Sequence, residues 1–433
     1  MTFMIGIRRE DKNKWERRVP LIPEHVKDFK KKYDISTVIQ PSEIRVYTDD
    51  EYKKSGADVK EDLSECSVVF AVKEIPIHLF RKNTAYVFFS HTIKGQDYNM
   101  PMLQEMMDLG CTLIDYEKIV NERGFRLVFF GKYAGLAGMI DTLWAYGQRL
   151  KSQGINSPFS QIKKTVDYTH HLPEIKQHLQ QIGKKIEQDG LPESITPVVV
   201  GFAGYGNVSK GAQEILDILP VKKVSPKNLK DVFKNPSNHC VYKVVFKEED
   251  MVAPRSEKQS FNLQEYYDHP EKYISIFDQY IPHLTMLMNC IYWDTKYPRL
   301  ISKNVIKKLY SPDLQLHVIG DISVDVNGAI EFTEKTTDSG NPVFVYNPST
   351  DQISDGCNGD GIAVMAVDNL PCELPRESSR SFSDSLYRFV PAIATADFTA
   401  DFDVCVLPDE IRKAVILYKG RLTPDYEYIN KFL

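Results

Sequence analysis

Apolar and polar positions alternate in blocks along this chain. Short β-branched and aromatic runs come first: "FMIGIRR", "STVIQPS", "CSVVFAVKE", "TAYVFFSHT", "CTLIDYEKI" and "RLVFFGKYAG". Between them, "IPEHVKDFKKKYD", "TDDEYKKSGA" and "DYNMPMLQEMMDLG" carry apolar residues at helical spacing. Compact apolar runs predict strands, and i, i+3, i+4 spacing predicts amphipathic helices. Strand–helix alternation of this kind predicts an α/β fold built on a doubly wound parallel sheet.

A long helix with small residues at its start comes next, "AGLAGMIDTLWAYGQRLKSQG" at 134–154. The polar stretch 155–195 reads as helical pieces bridging two domains. A second alternating unit begins at "TPVVVGFAGYGNVSKGAQEILDILP", while 225–285 reads as a polar, irregular insertion. Three more strand-like runs come after it: "LMNCIYW", "LHVIGDISVD" and "GIAVMAVDNLP". The last sixty residues, with "ELPRESSRSFSDSLYRFVPAI" and "PDEIRKAVILYKG", read as helical. A chain of 433 residues exceeds one ordinary core. The expected division is a first domain over 1–134, linking helices over 135–195 and a nucleotide-binding domain over 196–371, with a cleft between the two domains.

Composition narrows the function classes. With 42% apolar and 26% charged residues the chain is globular in type. A net charge of −5 and a pI near 6.1 supply no field to recruit nucleic acid. No apolar run approaches the ~20 residues of a membrane span. The strand-like start leaves no room for a signal or transit peptide, so the chain is expected either in the cytosol or processed before this start. Seven scattered cysteines without a CxxC pair predict reduced thiols rather than disulfides or a zinc site. The glycosylation-like triplet from Asn207 to Ser209 lies in a glycine-rich turn and is discounted. GxSxG, HExxH and GxxxxGK[ST] are absent from the sequence, so serine hydrolase, zincin and P-loop chemistry have no support.

The strongest local motif is "VVVGFAGYGNVSKGAQEIL". A β-branched strand leads into Gly204 and Gly206, then through Asn207, Ser209 and Lys210 into a helix. This strand–turn–helix setting is what a dinucleotide fingerprint requires, with Gly204 for the tight turn and Gly206 for close approach to a pyrophosphate. Ser209 replaces the third glycine. About 20 residues further, where NAD sites place an acid, stand Lys222, Lys223, Ser225 and Lys227. Cations and a hydroxyl there suit a 2′-phosphate, hence NADP(H); surface lysines at a strand end are the plain alternative.

A second constellation lies at predicted strand ends. Lys73 and Glu74 come after one apolar run, Ser90, His91, Lys94 and Gln96 after the next, and Asp115 and Glu117 at a third. In open α/β sheets such ends converge on the reactive crevice, where lysine and histidine can divide base and acid work. Isolated charges at strand ends are also commonplace. His170-His171 and His239-Cys240 lack metal-ligand spacing. Near the N-terminus, Arg8, Arg9, Arg17 and Arg18 are interleaved with Glu10, Asp11 and Glu16, which fits a carboxylate cradle and a solvated face equally well.

Several segments, in order, carry a family resemblance: "IRREDKNKWERRVPL", "AVKEIP", "FFSHTIKGQ", "LIDYEKIV", "AGYGNVSKGAQ", "NCIYWDTKYPRL", "GDISVDVNGAIEF" and "VDNLPCELPRE". The chain resembles the lysine–2-oxoglutarate reductase half of animal aminoadipic semialdehyde synthases. More distantly it is similar to fungal lysine-forming saccharopine dehydrogenases of the alanine dehydrogenase/transhydrogenase type. The resemblance implies that L-lysine, 2-oxoglutarate and NADPH give saccharopine. It implies Lys73 and His91 as the acid–base pair, tuned by Glu74 and Glu117, with Arg18, Lys94, Gln96 and Arg126 holding substrate carboxylates and Arg8 second to Arg18. It implies Gly204, Gly206, Ser209 and Lys210 in the cofactor loop, Asp321 near the nicotinamide, and residues 372–433 returning to the first domain. A separate glutamate-forming saccharopine dehydrogenase is an implied partner, and the animal relatives imply a mitochondrial location. Alternatives are the NAD-linked saccharopine dehydrogenase, alanine dehydrogenase, or a catalytically idle paralogue that binds NADP(H) or lysine.

Overall fold

The computed structural model describes residues 3–169 and 171–433. The chain forms two compact units, Met1–Phe130 with Pro375–Leu433, and Gly131–Leu374. The stretch 135–195 therefore lies inside the second unit. Each unit is a mixed, largely parallel sheet of eight strands among the described residues, flanked by helices.

In the first unit the strand order is Arg421–Leu422, Val415–Tyr418, Thr112–Asp115, Ala85–Phe88, Val68–Phe70, Phe3–Ile7, Ile35–Ile39 and Asp58–Val59. All pairings are parallel except those of the Val415–Tyr418 and Arg421–Leu422 hairpin. The first strand lies between the second and the fourth, so chain direction across the sheet reverses there. That reversal opens a crevice beyond the carboxyl ends of Phe3–Ile7 and Val68–Phe70. Helix Pro23–Tyr33 starts with proline at its first position, where a missing N–H costs nothing. It buries Val26 and Phe29 and ends at Asp34 in the left-handed region, φ 51°.

Two expectations fail in this unit. "RLVFFGKYAG" is not a strand: Arg126 makes an isolated bridge with Val120, and Gly131 already opens helix Gly131–Ser152. "PDEIRKAVILYKG" holds only the short helix Asp409–Arg412, then the buried strand Val415–Tyr418. The causes are linked, because Val415–Tyr418 takes the place beside Thr112–Asp115 that the earlier run would have needed. Short apolar runs do not declare helix or strand by periodicity alone.

The second unit orders its strands Gln352–Asp355, Val343–Asn347, Ile362–Met365, Val318–Asp321, Met286–Asn289, Val199–Ala203, Val241–Phe246 and Val221–Val224. Val343–Asn347 pairs antiparallel with both Gln352–Asp355 and Ile362–Met365, and the remaining pairings are parallel. The supposed insertion 225–285 thus contributes Val241–Phe246, an interior strand paired on both sides. Lys243 interrupts that apolar run and disguised it. The side chain is buried, and its ammonium reaches Asp217 Oδ1 at 2.5 Å.

Helix Gly131–Ser152 crosses helix Asn207–Leu216 with no room for side chains. A Cβ at Gly135 would lie 1.9 Å from the Val208 carbonyl oxygen, and one at Gly211 would lie 2.1 Å from that of Lys132. The seven cysteines are free thiols. Among the described residues, no helix is long and apolar enough to cross a membrane.

Candidate active site

Four parallel strands of the first unit, Phe3–Ile7, Val68–Phe70, Ala85–Phe88 and Thr112–Asp115, end along one edge, and the loops after them carry the candidate chemistry. The sheet ladder extends one bond further, Arg8 N–H donating to the Phe70 carbonyl at 2.9 Å. Beyond it, Glu10 accepts from the Val72 and Lys73 amides at 2.7 and 3.0 Å. Lys73 is thereby fixed at the switch point, half-buried. Burial, then the neighbouring Arg18, pushes its amine below the ordinary lysine value against the pull of Glu16.

His91 follows the adjacent strand, Ala85–Phe88, and has φ 51°, a left-handed backbone uncommon for a non-glycine residue. Asp115 holds the turn in that shape by accepting from the Ser90 amide at 3.0 Å and from the Ser90 hydroxyl. The other Asp115 oxygen accepts from the Glu117 amide at 2.7 Å, so one buried carboxylate sets two candidate loops. His91 Nδ1 meets Glu74 Oε1 at 2.6 Å, and Lys12 Nζ lies 3.5 Å from Glu74 Oε2. Burial works to raise the Glu74 carboxyl, yet the hydrogen bond and charge of His91 outweigh it and hold it at about 2.

The arginines are already paired. Arg18 places Nε and a terminal nitrogen on Glu16 at 2.7 and 2.5 Å and stacks over Phe130 at 4.3 Å. Arg8 pairs with Asp11, and Arg126 with Glu117. Arg9 joins Glu61 at 2.6 Å, and Arg17 Nε donates to the Ile44 carbonyl. Lys94 is exposed and Gln96 half-buried, on a loop whose Gly95 lies under Phe432: a Cβ there would sit 2.2 Å from the ring.

In the second unit, strand Val199–Ala203 ends at Gly204, φ 93°, and helix Asn207–Leu216 starts after Gly206. A Cβ at Gly206 would meet nothing within 4 Å, so the backbone there faces open space. The first helical i→i−4 bond is Lys210 N–H to Gly206, which leaves the amides of Asn207, Val208 and Ser209 ahead of it for an anion. Ser209 is buried, and its hydroxyl accepts from Gln213 at 2.9 Å.

Comparison with known proteins fits both units. The alanine dehydrogenase/PNT N-terminal domain profile matches residues 6–137, and its C-terminal domain profile matches 277–425. The chain belongs to the alanine dehydrogenase/PNT family. It is 38% identical to an alpha-aminoadipic semialdehyde synthase of Arabidopsis thaliana, across 99% of this chain and 41% of that protein. The mitochondrial one of Bos taurus is 38% identical, across 99% and 48%. The chain thus spans less than half the length of these relatives. A saccharopine dehydrogenase [NAD(+), L-lysine-forming] of Emericella nidulans is 26% identical over 80% of this chain and 81% of its own. An L-alanine dehydrogenase structure shares the fold, with TM-score 0.62 at 16% identity, covering 99% of this chain and 100% of that one.

Within this alanine dehydrogenase/PNT architecture, Lys222, Lys223 and Ser225 do not sit beside the fingerprint. Their strand is the sheet edge, one strand beyond Val241–Phe246. The neighbour of the fingerprint strand is Val241–Phe246, bonded on through Gly204 N–H to the Phe246 carbonyl at 3.0 Å. After Phe246 the chain runs through Lys247 to Glu248, whose carboxylate accepts from Tyr267 at 2.8 Å and raises the Tyr205 phenol. Counting residues from the glycines missed this, because the chain visits the edge strand first. Asp321 ends strand Val318–Asp321, buried, accepting from Asn289 at 2.7 Å and Thr333 at 2.6 Å; burial raises it to about 6. His170 lies outside the described residues, and His239 Nδ1 contacts only the Glu187 carbonyl among the described hydrogen bonds.

Glu10 and the buried pair Asp141 and Glu373 were not singled out in the sequence. Their only signal was an acid close to a strand end or within a helix of small residues, which many surface acids share.

Proposed function

We propose that this chain is a lysine–2-oxoglutarate reductase, condensing L-lysine with 2-oxoglutarate and reducing the imine to saccharopine with NADPH. The coarser statement, a nicotinamide-dependent oxidoreductase of lysine degradation, is supported by the family and by relatives named for saccharopine chemistry. The finer one is carried by a single observation: a half-buried lysine, Lys73, stands near a hydrogen-bonded Glu74–His91 pair on neighbouring strand ends.

The steps ask two things of these residues. The ε-ammonium of lysine must lose a proton before its nitrogen can attack the keto carbon, and the carbinolamine hydroxyl must gain one to leave as water. Lys73, its amine pushed below the ordinary value by burial, gives up its proton more readily than a solvated lysine, which suits proton transfer. His91 on Glu74 is held by a carboxylate that stays ionised to about pH 2. Such positioned acid–base groups are worth on the order of 10²–10⁴ in rate. Arg18, Arg8, Lys94 and Arg126, with Gln96, would meet the carboxylates of the two substrates. Since Arg126 shares an exposed pair with Glu117, a substrate carboxylate competes there most easily.

The glycine turn fits a dinucleotide: Gly204 adopts the left-handed turn, Gly206 leaves the backbone open, and three amides point ahead of the helix. Gly204, Gly206, Asn207, Ser209 and Lys210 would hold its pyrophosphate, and when bound it supplies the hydride.

NADPH is taken from the family resemblance. The placement of Glu248 beside the fingerprint supports a second reading, the NAD-linked saccharopine dehydrogenase, since an acid there repels a 2′-phosphate. The deciding assay monitors coenzyme oxidation with lysine plus 2-oxoglutarate, omitting each in turn and exchanging NADPH for NADH. Turnover requiring both substrates is expected. Turnover with pyruvate and ammonia instead, or coenzyme binding without turnover, would remove the proposal.

A further inference from the structure

Glu10 has no part in the chemistry above, yet it is buried where the sheet changes direction. Its neighbours explain what its oxygens do. Regular pairing of the Val68–Phe70 strand ends with Arg8 N–H on the Phe70 carbonyl and Ala71 N–H on the Val87 carbonyl, 2.9 and 3.0 Å. The next two amides, Val72 and Lys73, face no strand, and each finds one oxygen of Glu10. A buried amide without an acceptor loses its bond to water and gains nothing in return, so some acceptor is required here. A neutral carbonyl or hydroxyl would have served. A carboxylate is the expensive choice, because burial and then Glu16 raise it to about 7, against the two amides and Arg8. What a carboxylate offers beyond a neutral acceptor is two oxygens in one plane, able to fix two consecutive peptide units at once.

We infer that Glu10 is a positioning residue for Lys73: its two-oxygen grip on consecutive amides sets the backbone from which the lysine amine reaches the reacting atoms. The inference rests on the proposed role of Lys73. Glu10 takes its hydrogen bonds from the main chain, including the amide of Lys73 itself, and not from the lysine amine, so it acts through geometry. Loss of the grip lets residues 72–74 relax toward water. The Lys73 amine then becomes more hydrated, and its charged form is favoured.

The test uses the full chain with Glu10→Ala and Glu10→Gln. Reductive methylation with formaldehyde and cyanoborohydride, read at the Lys73 peptide by mass spectrometry across pH, needs no substrate. The Glu10→Ala labelling midpoint is expected to move up by about one pH unit. Its kcat/KM for lysine should fall on the order of 10–100-fold, mainly in kcat, with coenzyme affinity near wild type and a lowered melting temperature, because two amides lose their acceptor. Glu10→Gln keeps one acceptor and should fall between. An unchanged labelling profile in Glu10→Ala overturns the inference. So does parallel loss of activity, coenzyme affinity and thermal stability, which would make Glu10 a support of the fold alone. If wild type shows no lysine-dependent turnover, the reductase proposal fails, and the labelling midpoint alone decides on Glu10.

Discussion

Lys73 and His91 sit on strand ends of the first unit, whereas the glycine turn belongs to the second. Lys73→Met and His91→Gln should therefore each cut turnover by roughly 10²–10⁴-fold while coenzyme affinity, measured by fluorescence titration, stays as in wild type. Wild-type turnover from either variant removes that residue from the mechanism. The residue types of this cluster were legible in the sequence, because strand ends announce themselves. Their pairings were not. The arginine-rich opening segment fits a cradle or a solvated face until Arg18 is seen on Glu16, Arg8 on Asp11 and Arg9 on Glu61. Arg8 and Arg18 take acids three and two residues away, one among several nearby choices, whereas Arg9 crosses to Glu61 on a distant loop, which spacing along the chain does not encode.

The glycine positions separate folding from binding. Gly206→Val places new atoms in open space at an ordinary backbone, φ −73°, so stability should change by no more than about 0.5 kcal/mol. Coenzyme affinity should fall on the order of tenfold or more, because the added side chain occupies the approach to the three free amides. Gly135→Ala does the opposite: its Cβ meets the Val208 carbonyl, forcing two helices apart at a cost of about 1–3 kcal/mol, read by denaturant unfolding. Strand order carries a further expectation. Glu248→Gln should raise NADPH affinity relative to NADH, whereas Lys222→Ala with Lys223→Ala should leave the ratio unchanged, since their strand is one place removed from the fingerprint. Paired dissociation constants for the two coenzymes check both, and a ratio governed by the lysines would restore the expectation read from residue counting.

At the scale of the whole molecule, the second unit stores buried acid. Burial, then the charge and hydrogen bond of Asp141, pushes Glu373 well above its ordinary value, and burial likewise raises Asp141 and Asp321. Such acids hold protons in the folded chain that the unfolded chain has released. The stability they contribute is then fully present below the unfolded carboxyl range near pH 4 and declines as pH rises, for Asp321 until about pH 6 and for Glu373 as pH climbs through its raised folded value. Glu373→Gln should flatten that decline in denaturant midpoints measured from pH 4 to pH 8, and an unaltered slope would show that the pair does not govern it.

The alternation of strands and helices, the doubly wound class and the glycine turn were determined by sequence alone, because period and turn chemistry are local properties of the chain. Tertiary structure decided which strand lies beside which. It put Val415–Tyr418 beside Thr112–Asp115 in the place sought for an earlier run, brought Val241–Phe246 and Glu248 to the fingerprint, and closed Glu10 onto the amides of Val72 and Lys73. These are contacts between residues distant in sequence, and only the packing of a sheet selects among them.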